Sequence, residues 1–259
     1  MPRSLRTRDR HPPGPGETLA DPAPGLAACT RALRRAFGSD VACAVVAVAG
    51  DPALLLPEEE ALVKRSVPAR RREFAAGRVG ARALLAGLGF DLEPLLSGPG
   101  RAPLWPSGAL GSLAHDGHRC AIAVARAGRL DALGVDIEPD EPLEPELWGE
   151  LFRPSELERL AEQPRDQRGR LARRLFCAKE AVFKCTRARL GTTLAFREVE
   201  ILPDPCGPRF RLRLHHPAAR ALGAVLPVGF LLTSAGSILS GATLAASSFA
   251  RPRAAPWST

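Results

Sequence analysis

Residues 134–139 read GVDIEP and residues 170–185 read RLARRLFCAKEAVFKC, and together they set the two periods on which the fold rests. In the first, Val135 and Ile137 alternate with Gly134, Asp136 and Glu138, the two-residue period of a strand with one apolar face. In the second, at about 100° per residue, Leu171, Leu175, Ala178 and Val182 fall on one stripe, the core-facing side of a helix. Lys179 projects between that stripe and a flank made by Phe176 and Phe183, and Glu180 falls beside Phe176, one turn from Lys184.

Outward from these stretches the same two periods recur. Upstream, VACAVVAVAG (41–50) has the run of a buried strand, and residues 57–89 form one or two helices closed by glycine. A Pro/Gly-rich loop follows (97–111), then CAIAVARA (120–127) and ALGVDIEP (132–139), a strand, a turn and a second strand. Downstream, residues 152–163 and 168–191 are helical, and FREVEILP (196–203) and RFRLRLHH (209–216) are strands. Both halves mix helices with strands, which makes the fold class α/β (α+β), with no short-period repeat.

The stretch Ala221 to Ala250 carries no charge and is long enough to cross ~30 Å of hydrocarbon as a helix. Pro227, four glycines and repeated Ser and Thr favour instead two buried strands, 225–233 and 241–249, joined through the SAGS turn. No membrane span is expected. The first residues, MPRSLRTRDRHPPGPGETLADPAPG, lack the apolar run of a secretory signal, and we expect a disordered tail over 1–28 and a flexible one over 251–259.

The chain has 259 residues, 45% of them hydrophobic, and a net charge of +8, so it can bury a core and favours anionic partners. Charge alone does not choose among nucleic acid, an acidic protein, a membrane surface and a phosphorylated cofactor. The six cysteines (29, 43, 120, 177, 185, 206) form no CxxC pair, which argues against zinc or a disulfide framework and suits a reducing cytoplasm.

Several groups could do chemistry. Asp136 and Glu138, two apart on a strand, are about 7 Å apart at Cα, so both can reach one hard divalent cation, or both can face solvent. Glu180 with Lys179 and Lys184 can serve a site, or Glu180 and Lys184 can pair along the helix. Arg71, Arg78 and Arg82 share a helix face with Arg70 beside it, and can hold phosphates, line nucleic acid or lie solvated. His115, placed between a Gly-rich loop and a strand, can meet a phosphate oxygen or be structural.

Four segments in order resemble the Sfp-type 4′-phosphopantetheinyl transferases, especially the branch of the enterobactin-synthase transferases. RRREFAAGR (70–78) is similar to that branch's RRxEFxxxR, and GRAPLWPSGALGSLAH (100–115) to its xxPxWPxGxxGSxxH. GVDIEP is similar to GxDxE, and FCAKEAVFK (176–184) to WxxKEAxxK. The resemblance implies two pseudo-symmetric α/β lobes in one chain, here 29–133 and 134–250, with coenzyme A and Mg²⁺ between them. It implies Asp136, Glu138 and Glu180 as metal ligands, with Mn²⁺ the alternative ion, and Lys179 and Lys184 on the pyrophosphate. Arg70, Arg78, Arg101 and His115 would hold the coenzyme A phosphates, with Arg71 a neighbour; Glu180, Lys179 and His115 are the candidate catalytic residues.

The implied activity is transfer of the phosphopantetheine arm of coenzyme A to a serine of an apo acyl, peptidyl or aryl carrier protein, releasing 3′,5′-ADP. Such carriers serve siderophore, polyketide and nonribosomal-peptide synthesis. A cytoplasmic monomer that binds neither nucleic acid nor membrane is expected. The alternatives are a metal-dependent nuclease and a basic nucleic-acid-binding protein. Two positions depart from the family pattern: Phe176 stands in place of Trp, and Asp116 in place of a small hydroxyl or thiol residue.

Overall fold

A computed structural model describes residues 23–190, 194–222 and 226–246. The first half runs α1 (Ala23–Phe37), β1 (Ala42–Ala47), α2 (Pro57–Val63), α3 (Pro68–Gly87), β2 (Ala109–His115) and β3 (Arg119–Arg126). The second runs β4 (Leu130–Pro139), α4 (Trp148–Leu151), α5 (Pro154–Ala161), α6 (Arg165–Leu190), β5 (Val199–Pro203), β6 (Arg209–Leu214), β7 (Val228–Ser234) and β8 (Ser237–Ala245). Helix α1 begins inside the stretch expected to be a tail. Its Cys29 and Leu33 are fully buried, so this turn of sequence is fixed by packing that the local Pro/Gly content obscures. The tail expected over 251–259 lies outside the described residues.

All strand pairing is antiparallel, in two sheets ordered β1-β3-β2 and β4-β8-β7-β6-β5. Each sheet begins with its first strand at an edge, pairs it with the last strand of its half, and pairs that with the one before. Between first and second strand each half inserts its longest helix, α3 or α6, against its own sheet. This shared order is the two-lobe repeat, to which the second half adds the β5 and β6 pair. The turn between β3 and β4 is where the chain leaves one sheet for the other. All of β4, from Leu130 onward, belongs to the second sheet, so the expected boundary at 133/134 lies within that strand.

The uncharged stretch near the end forms two strands through the Ser234–Ser237 turn, where Ala235 and Gly236 have positive φ, the second starting at Ser237 and not at the expected 241. Among the described residues no helix is long and apolar enough to cross a membrane. Residues 97–111 depart from the expected loop, since β2 starts at Ala109 and ends on His115. Of the glycines that suggested a loop, Gly111 serves packing, since a Cβ on it would collide with the Trp105 indole, while Gly100 and Gly108 have positive φ.

Alternation along β4 sends its two faces to different tasks. Val135 and Ile137 join Cys43, Val45, Ala121 and Ala123 of the first sheet in one apolar core that spans both lobes. Gly134 and Asp136 face α6, where Leu175, Ala178, Ala181, Val182 and Cys185 are buried. Buried apolar area of this kind is worth about 25 cal/mol per Å², so the lobes are held to each other by the same force that folds each.

Candidate active site

A cleft of about 1090 Å³ lies between α3 and β2 of the first lobe and β4 and α6 of the second. That is the upper end of the size of small-molecule sites, about 300–1,000 Å³. Arg70, Arg78, Arg101, His115 and Lys184, five of the residues singled out from sequence, line it. Glu73, Trp105, Ser112 and Arg187, which were not singled out, line it too.

Each wall is built locally. On α3, Arg70, Glu73, Gly77 and Arg78 fall three or four apart and so share the cleft-facing side. Glu73 pairs with Arg70 and accepts from His115 Nε2 at 2.7 Å. Desolvation, then the charges of Arg70 and Lys184, pushes the His115 ring down to about 4. Its side chain is 45% exposed, and solvent moderates that shift without changing its direction.

Arg78 is spent mainly on structure. Its Nε donates to Leu95 O at 2.7 Å, its Nη2 donates to Ser97 Oγ at 3.2 Å, and its guanidinium lies over the Phe74 ring. It thereby holds the base of a tight loop in which Gly98 N donates to Ala102 O and Leu104 N to Leu96 O. At the tip, Gly100 and Arg101 both have positive φ (65° and 63°), which costs Arg101 on the order of 1–3 kcal/mol and turns it into the cleft. The Arg187 guanidinium of α6 lies against Gly100, in the space a Cβ would fill, so a residue of each lobe meets over the cleft.

Arg71 does not line the cleft. It pairs with Glu60 at 3.1 Å, and Arg82 pairs with fully buried Glu59, which also accepts from Leu95 N. Of the arginines on α3, which sequence left open among phosphate, nucleic acid and solvent, Arg71 and Arg82 thus turn to the acids of α2, while Arg70 and Arg78 line the cleft. Lys179 is a second correction. It is fully buried away from the cleft, bonded to Glu156 and to three backbone carbonyls. The helical stripe was legible, but the depth of the groove beside it, filled by α5 and β5, was not.

None of the three expected carboxylates lines the cleft; Asp136 is joined to it through Lys184. Lys184 Nζ donates to Asp136 Oδ1 at 2.6 Å instead of pairing along the helix with Glu180. Burial pulls the Lys184 ammonium down, but Asp136 and Glu180 outweigh it and raise its pKa. Glu138 accepts from Arg173 Nη1 at 3.0 Å, a partner the sequence did not disclose. Glu180 accepts no hydrogen bond among the described residues. Burial, then the charge of Asp136, pushes Glu180 up to about 7 and Glu138 up to about 8.

Asp136 Oδ2 is buried with no hydrogen bond of ordinary geometry, the weakly donating Cys177 thiol and the Ile137 backbone being its neighbours, an arrangement that a cation would stabilise. Asp136 raises the pKa of both Glu138 and Glu180, and carboxylates are the kind of donor that could hold a hard divalent ion. Among the described residues no three donors stand as a preformed metal cluster, because Glu138 is turned to Arg173.

The two departures are accommodated. Phe176 stacks on Phe196 with centroids 5.6 Å apart, and Phe183 meets the same ring edge-on, so the aromatic wall needs no indole N–H. Asp116 Oδ1 accepts from His118 N and Arg119 N, which commits its charge to the β2–β3 turn.

Comparison with known proteins agrees with this arrangement. Residues 58–125 match the model of the 4′-phosphopantetheinyl transferase N-terminal domain, and residues 132–225 match that of the 4′-phosphopantetheinyl transferase superfamily. The chain is 45% identical over 177 residues to the 4′-phosphopantetheinyl transferase Svp of Streptomyces mobaraensis, covering 64% of this chain and 69% of that protein. It is 40% identical over 146 residues to Npt of Nocardia iowensis, covering 56% of this chain and 64% of that protein. With enterobactin synthase component D of Escherichia coli K12 the identity is 32% over 136 residues, 51% of this chain and 62% of that protein. On these matches, which run through both lobes and both walls of the cleft, the chain belongs to the 4′-phosphopantetheinyl transferase superfamily of enzymes.

Proposed function

We propose that the cleft binds coenzyme A and that the protein transfers its phosphopantetheine arm to a serine of an apo carrier protein, releasing 3′,5′-ADP in a Mg²⁺-dependent reaction. The observation that carries this is Lys184, which lines the cleft and is bonded to Asp136, joining a phosphate-binding wall to the carboxylates. Arg70, Arg101, Arg187 and His115, which line the cleft, would hold phosphate oxygens, and Lys184 the pyrophosphate. Asp136, Glu138 and Glu180 would hold the cation, which supplies positive charge to the pyrophosphate as the bond to the leaving nucleotide breaks.

Serine Oγ forms the new bond to phosphorus, and Glu180, or a water on the cation, would take its proton. The net charge of +8 favours an acidic carrier surface. All six cysteines are free and five are buried, which accords with the reducing cytoplasm, where we place the protein as a monomer. The nuclease and nucleic-acid-binding alternatives gain nothing from the family match.

Incubation with Mg²⁺, coenzyme A and a panel of apo carriers (fatty-acid, polyketide, nonribosomal-peptide and siderophore) tests the proposal by intact mass. At least one carrier is expected to gain the mass of one phosphopantetheine arm. No gain on any of them overturns it. A second expectation concerns the cleft: Gly100→Ala drives Arg187 from the loop and strains a positive-φ site, raising KM for coenzyme A by about 10-fold, a loss of ~1.4 kcal/mol in binding. Steady-state kinetics against coenzyme A read this directly.

A further inference from the structure

We propose that Lys179 and Glu156 form a clasp that positions Glu180, so that two residues touching neither substrate act on the reaction through cation binding. This rests on Glu180 being a ligand, as proposed above. Lys179 Nζ donates to Leu151 O (2.9 Å), Phe196 O (2.8 Å) and Val199 O (2.7 Å) and pairs with Glu156 Oε2 at 2.7 Å. Glu156, also fully buried, accepts from Arg153 N and Ile201 N, both at 2.9 Å. One side chain of α6 is thereby tied to the α4–α5 junction, to the turn before β5 and to β5 itself.

Successive residues on a helix are fixed relative to each other about its axis, so anchoring Lys179 sets the direction of Glu180. No hydrogen bond holds the Glu180 carboxylate itself among the described residues, unlike Asp136 and Glu138, which Lys184 and Arg173 hold. On the opposite side, β4 seats its Gly134 against Ala181 and Cys185 of the same helix. The clasp and the glycine seat therefore grip α6 on both sides of the turn that carries Glu180. Stability alone does not require an ammonium here, since well-packed apolar residues serve a buried site as well as an ion pair or better.

The test uses the full-length protein, Mn²⁺ as probe and calorimetric titration of its affinity. In the double variant Glu156→Gln/Lys179→Met, which removes both buried charges together, Mn²⁺ affinity is expected to fall by about 10- to 100-fold. KM for coenzyme A should change by less than about twofold, because its phosphate contacts lie on other elements. In a Glu180→Gln background the same pair of substitutions should cost no further Mn²⁺ affinity, as befits residues acting through Glu180.

Wild-type Mn²⁺ affinity in the folded double variant overturns the proposal, as does a full additional loss on top of Glu180→Gln. Glu156→Asp, which keeps the charge pair but withdraws it by one methylene, carries the same cycle where the double variant does not fold. Should Glu180→Gln leave Mn²⁺ affinity unchanged, the ligand assignment itself falls. Should it weaken binding while the clasp variants do not, only the clasp is refuted.

Discussion

Asp136→Asn is expected to lower transfer to a carrier serine by about 10³-fold and to lower the thermal unfolding midpoint only modestly, the loss of the charged partner of Lys184 being partly offset by the relief of a buried carboxylate. Asp136 is 4% exposed, and it gives one oxygen to Lys184 and has no hydrogen bond of ordinary geometry for the other. Burial raises its pKa despite the lysine, and a folded-state pKa above the unfolded one means that folding favours the neutral acid. Asn reproduces the shape of that neutral form. It removes the negative charge that the cation and Lys184 need, and leaves Lys184 a bond to Val135 O at 3.3 Å. Mass-resolved transfer kinetics and a thermal scan on the same preparation decide it. Undiminished transfer would mean that this carboxylate is not part of the metal site.

Gly134→Ala should fail in the opposite way, through the fold. The added methyl would overlap Ala181 O and stand 2.7 Å from Cys185 N, both backbone atoms of a helix that cannot rotate aside. Overpacking of this kind costs about 1–3 kcal/mol, and at this chain length each kcal/mol lowers the unfolding midpoint by roughly 2–4 °C. The relief available is to part β4 from α6, which separates Asp136 from Glu180 and Lys184. Transfer is therefore expected to drop more than the folded fraction does. A variant that melts with the wild type and transfers normally would contradict the packing described.

These two residues also show how far the sequence could be read. The two-residue alternation in GVDIEP fixes which side chains share a face of β4, and both faces come out as expected because one is buried against apolar neighbours. Helix periodicity likewise placed Leu175, Ala178 and Val182 in the core. What periodicity lacks is depth and partners. Lys179 sits one helical step from the stripe, and whether it reaches solvent or a buried groove depends on α5 and β5, distant in sequence. Arg71 and Arg82 look like a phosphate-binding face until α2 folds Glu59 and Glu60 onto them. Arg187 had no motif to mark it, and its one local signal is Gly100, whose missing Cβ it fills. Glu73 was visible inside RRREFAAGR, and its i,i+3 relation to Arg70 was the cue to assign it a place.

The apolar core that Val135 and Ile137 share with β1 and β3 has a consequence for how such a chain can be altered. A chain whose halves met only at a polar cleft could be cut at residues 127–129, or have one half exchanged for that of a relative, with each piece keeping its own shape. Here either half alone would present to water the row of Ala, Val and Ile that the other covers. The halves are therefore a matched pair, and a chimera between relatives must carry both sides of that row from one parent, whichever carrier protein it is meant to serve.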